Sequence, residues 1–106
     1  MKTRNRNTPR PVDLADRIEA AGYGTAIGQC AADDADRIRS LTRDLDFAAE
    51  FQVSNWPLQE GALAALEGVY KRVSRALRTQ AGREYLRRGD LREIDMMIRD
   101  LKAAAA

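Results

Sequence analysis

Residues 62–77 read Ala62-Leu63-Ala64-Ala65-Leu66-Glu67-Gly68-Val69-Tyr70-Lys71-Arg72-Val73-Ser74-Arg75-Ala76-Leu77. Leu63, Leu66, Tyr70, Val73 and Leu77 recur at alternating steps of three and four, the period that lines one face of an α-helix. Leu58, Ala62 and Val69 flank this stripe. The helix is predicted to run to about Gln80, or through Gly82 to Arg88. Ser54 or Asn55 would cap it, and Pro57 suits its first turn. Trp56 reads as a core plug beside that turn.

Working outward, the same period recurs on both sides. Downstream, Leu91, Ile94, Ile98 and Leu101 mark a last helix, with Gly89 as a stop signal and Asp90 as its N-cap. Upstream, Ile38, Leu41, Leu45 and Ala48 mark a helix capped near Asp33-Asp34 and reaching Gln52. Phe47 and Phe51 fall on an adjoining stripe. A shorter helix is predicted from Asp13 as N-cap to Gly22, with Leu14, Ile18 and Ala21 buried. The stretch 22–32 is open between a loop and a short helix packed through small residues. Nothing alternates at the two-residue period of a strand. The fold class is therefore all-α: a compact bundle of four to five helices forming one domain over 12–106, behind a disordered basic tail at 1–11. Gly68 to Leu77 is faintly similar to the turn and recognition helix of helix-turn-helix repressors. The apolar period runs straight through Gly68, however, and no family is assigned.

Composition narrows the chemistry. The 106 residues contain no histidine and one cysteine, with 44% apolar and 32% charged residues. Imidazole acid–base catalysis, Ser-His-Asp triads and His-containing zinc sites are excluded. Cys30 cannot form an intramolecular disulfide, has no basic neighbour to activate it, and reads as a buried, inert thiol. Lys71 lies on the polar side of its helix, where it is not desolvated enough for catalysis. The acids Asp33, Asp34 and Asp36 lack the glycine turn and distal glutamate of a calcium loop, so helix capping explains them better than a cation. The expectation is a non-enzymatic protein without a cofactor or metal. With no apolar run near the length of a membrane span, it is expected in the reducing cytoplasm.

The net charge of +2 hides segregation. Residues 1–10 carry +4, residues 11–70 carry −7, and residues 71–92 carry +6. In the last block, Lys71, Arg75 and Arg78 fall on one helical face opposite the apolar stripe, and Arg72, Arg83, Arg87 and Arg88 widen the patch. These seven residues are the candidate partner-binding site, and two partner classes suit them. One is an acidic surface of another protein, with the chain acting as a small regulator, inhibitor or adaptor. The alternative is nucleic acid, with the patch on phosphates and the tail reaching along a groove. The strict spacing of 63–77 and 91–101 also matches a bundle or coiled-coil seam, which predicts a homodimer.

Overall fold

A computed structural model describes residues 11–23, 28–50 and 61–105. Over these residues the chain is all-α, with five helices and no strand. They are α1 (Leu14–Ala21), α2 (Gly28–Glu50), α3 (Ala62–Ala76), α4 (Gln80–Tyr85) and α5 (Arg88–Ala105). The expectations for residues 1–10, Phe51, Ser54, Asn55, Trp56, Pro57 and Leu58 lie outside the described residues.

One core joins the elements. Leu14, Ala15 and Ile18 of α1 meet Ala31, Ala35, Ile38 and Leu41 of α2, Leu66, Val69 and Val73 of α3, and Ile94, Ile98 and Leu101 of α5. Helix α1 packs on α2 and α4, while α3 packs on α5. The buried line of α3 is Ala62, Leu66, Val69, Val73 and Ala76. It is rotated from the stripe drawn on the sequence, so Leu63 and Leu77 are half-buried and Tyr70 is 36% exposed. The small residues Ala62 and Ala76 face inward because they let α3 approach its neighbours closely. Of the seam read on the sequence, Leu66 and Val73 are buried within the chain, where α3 packs on α5, while Leu63, Tyr70 and Leu77 stay partly exposed.

Helix boundaries are set by backbone chemistry. Asp13 stands at the N-cap of α1 in an extended conformation, and its side chain makes no capping bond. Gly22 closes α1 in the left-handed region at φ 65°, where its N–H donates to the Ile18 carbonyl. Tyr23 follows at φ 51°, a conformation that most side chains resist. Its burial against the core holds it there. From Gly28 the chain is helical, which resolves most of the open stretch and puts Asp33 and Asp34 inside α2 rather than at its cap.

The long basic helix expected from residue 57 to about 80 or 88 is broken. Helix α3 stops at Ala76, the chain turns, and the Thr79 hydroxyl caps α4 by accepting from the Gly82 N–H at 3.0 Å. A side chain at Gly82 would bring its Cβ to 2.1 Å from the Ala76 carbonyl oxygen, so only glycine permits this turn. Helix α5 then begins at Arg88, earlier than expected, which places Gly89 inside its first turn. Asp90 is not the N-cap. It is the third helical residue, and its carboxylate reaches back to accept the Arg87 N–H at 2.8 Å, the acidic half of a capping box.

Two ion pairs with buried carboxylates cross-link the bundle. Arg17 of α1 donates from Nε and Nη2 to Asp90 Oδ1 at 3.1 and 2.7 Å, and from Nη2 to Glu93 at 3.0 Å. Its Nη1 donates to the Pro11 and Val12 carbonyls, so all five guanidinium N–H groups are used. Pro11 and Val12, at the border of the expected tail, are thereby tied to the bundle. Arg72 of α3 grips Asp34 of α2 with two bonds of 2.8 Å, a bidentate pair whose carboxylate is buried. On the surface, Arg39 joins Asp16 and Glu19 of α1 to α2.

A candidate basic groove

The breaks at 77–79 and 86–87 bend the basic stretch around a concavity. Helix α3 delivers Tyr70 and Ser74, the turn delivers Leu77 and Arg78, α4 delivers Arg83, the joint delivers Leu86 and Arg87, and α5 delivers Arg88, Leu91, Arg92 and Asp95. The resulting groove has a volume of about 1070 Å³. Five arginines surround it with one acid, Asp95, and that acid pairs with Arg99 on its own helix at 3.2 Å.

Local bonding leaves these arginines charged. Arg83 donates to the Leu77 carbonyl at 3.0 Å, and Arg87 donates to the Leu86 carbonyl at 2.8 Å and to the Arg83 carbonyl. Backbone carbonyls orient a guanidinium without cancelling its charge. Among the described residues no ion pair joins Arg78, Arg83, Arg87, Arg88 or Arg92 to a carboxylate. The contrast with Arg17, Arg39 and Arg72 is direct, since each of those is spent on one or more acids of the same chain.

The structure separates the seven sequence-selected residues into three groups. Arg78, Arg83, Arg87 and Arg88 meet in the groove. Lys71, Arg75 and Arg78 line an adjoining hollow of about 290 Å³ with Tyr70 and Ser74. Arg72 leaves the site altogether. It faces inward to Asp34, which holds its guanidinium above the usual arginine range through their hydrogen bonds. Helical angle alone put it at the patch margin; a buried acid on the neighbouring helix decides where it points. Arg92 belongs to the groove and was missed as a site residue, although the charge count of residues 71–92 included it.

Other candidates are also relocated. Cys30 is exposed rather than buried, because the inward line of α2 runs through Ala31, Ala35 and Ile38. Asp34 turns to Arg72 and Asp36 to Arg39. Among the described residues no group of acids and cysteine is arranged to hold a metal ion, and no helix is long and apolar enough to cross a membrane. Beside Asp34, the Tyr23 hydroxyl is buried without a hydrogen-bond partner among the described residues. Burial, and then the charge of Asp34, hold its phenol well above its ordinary pKa.

Fold and site together define a small all-helical domain with an arginine-lined groove at the α3–α4–α5 corner. Comparison with protein-family models, curated proteins and solved structures finds no match to this chain.

Proposed function

We propose that this chain is a non-enzymatic interaction module that docks an acidic surface of another protein in the groove between α3, α4 and α5. The observation that carries this reading is the meeting of Arg78, Arg83, Arg87, Arg88 and Arg92 in one groove, with no carboxylate among the described residues in an ion pair with any of their guanidiniums. Five like charges held around one groove repel one another in the free protein, and an acidic partner relieves that repulsion. Catalysis has little support at this site. The chain contains no histidine, and the one acid lining the groove is tied to Arg99.

The test is binding of fluorescently labelled polyglutamate, followed by anisotropy across a salt titration. Affinity should weaken steeply with salt and disappear in the Arg87→Ala/Arg88→Ala/Arg92→Ala variant. No binding at low salt would overturn the reading.

Nucleic acid is the second reading. It is favoured by the continuity of the groove with the Lys71, Arg75 and Arg78 hollow through Tyr70, Ser74 and Arg78, which extends the basic track. Against it stands the −7 of residues 11–70, which repels phosphate. Tighter binding of duplex DNA than of polyglutamate at equal salt, lost in the same variant, would favour this second reading over the first.

A further inference from the structure

The groove is not uniformly polar, and its apolar part narrows the occupant. Among its lining residues Leu86 is fully buried, Leu77 and Leu91 are half-buried, and Tyr70 is 36% exposed. The exposed arginines therefore form the polar rim of the lining, and the less exposed leucines with Tyr70 form its apolar part, called the floor below. Resting on the docking function proposed above, we infer that the occupant is an amphipathic acidic segment of a partner protein. Its large apolar side chains seat on Leu77, Leu91 and Tyr70 while its carboxylates meet Arg78, Arg83, Arg87, Arg88 and Arg92.

Three considerations select this occupant. A purely apolar segment would strip water from the guanidiniums without giving them a partner, a heavy desolvation penalty. A purely anionic chain, whether polyglutamate or a nucleic acid backbone, would satisfy the rim and leave the leucine and tyrosine surface unused. A segment carrying both chemistries satisfies both parts of the groove. Size points the same way. About 1070 Å³ lies just above the roughly 300–1,000 Å³ typical of pockets that enclose a small molecule, and a stretch of polypeptide fills it better. The carbonyl bonds of Arg83 and Arg87 also hold two rim side chains in place before binding, which lowers the entropy lost on capture.

The experiment uses the full chain and two labelled synthetic peptides of equal length and charge. One mixes Glu and Leu, and in the other every Leu is Ser. The Glu/Leu peptide should bind at least about tenfold more tightly, the scale expected for burying one or two leucine side chains. Tyr70→Ala removes part of the floor at a half-exposed position, so the bundle should stay intact, as circular dichroism will check. It should weaken the Glu/Leu peptide more than the Glu/Ser peptide, narrowing the gap between the two. Equal affinity for the two peptides overturns the amphipathic occupant while the acidic-partner function stands. Failure of both peptides to bind overturns that function as well. Displacement of the Glu/Leu peptide by duplex DNA of equal charge overturns both in favour of nucleic acid.

Discussion

Arg17 and Arg37 occupy the same place in two copies of one tetrapeptide, Ala15-Asp16-Arg17-Ile18 and Ala35-Asp36-Arg37-Ile38, and have opposite fates. Arg17 is 7% exposed, locked to Asp90 and Glu93, whereas Arg37 faces solvent. Ile18 and Ile38 are legible from periodicity and buried, and Ala15 and Ala35, which fall outside the stripes read on the sequence, are buried as well. The fate of each arginine is not legible, because it depends on an acid more than seventy residues away in α5. Asp90→Ala strands the Arg17 guanidinium beside the half-exposed Glu93 and frees the Arg87 N–H. It should destabilise the fold by about 3 kcal/mol in urea melts. Arg17→Met/Asp90→Ala should recover part of that loss, because the double variant leaves no stranded charge. A double variant as unstable as the sum of the singles would refute coupling. Tyr23 supplies a pH test. Its folded pKa lies above the ordinary phenol value, so the unfolded chain releases this proton first. Its contribution is intact below about pH 10 and is lost as pH climbs past it. Tyr23→Phe should therefore change stability little at neutral pH and flatten the alkaline fall in the urea midpoint. An unchanged alkaline fall would show that another group governs it.

At the scale of elements, the period found α1, α2, α3 and α5 but merged α4 into α3 and misjudged where helices stop. Val73 and Leu77 keep the spacing of α3 across the point where the helix ends, so periodicity alone carries it onward. The competing signal was present in Thr79-Gln80-Ala81-Gly82: a hydroxyl residue that can cap, followed by a glycine at the position whose N–H it accepts. What the sequence could not reveal is the closeness of the Ala76 carbonyl, a contact set by the turn itself. Two substitutions probe this joint. Thr79→Ala removes the cap and should cost about 1 kcal/mol. Gly82→Ala should cost more, about 1–3 kcal/mol, because its Cβ collides with backbone rather than with a side chain that can move aside. Because the joint also aims Arg78 and Arg83 into the groove, both variants should weaken polyglutamate binding. Gly82→Ala melting like the parent protein would show that the turn is not tightly specified.

For the molecule as a whole, the segregation of charge was legible as arithmetic, while the groove was not. A straight helix from 63 to 88 would have spread the arginines around its exterior. The two breaks gather them instead, and buried acids withdraw Arg17 and Arg72 from the surface pool. The free protein should carry an energetic penalty at the groove that can be relieved by substitution. Arg88 is the sharpest case: it is exposed, opens α5 at the end where the helix dipole is positive, and stands among Arg83, Arg87 and Arg92. Arg88→Glu reverses the sign at that helix end and thins the cluster. It should stabilise the free protein at low salt by up to about 1 kcal/mol, read as a higher urea midpoint. The gain should shrink as salt shortens the screening length to about 10 Å near 0.1 M. Binding of the acidic peptides should fall in the same variant, because the charge that strains the free fold is the charge that holds the partner. Loss of stability at low salt would mean that Arg88 is compensated within the fold, and that the groove is less strained than its composition implies.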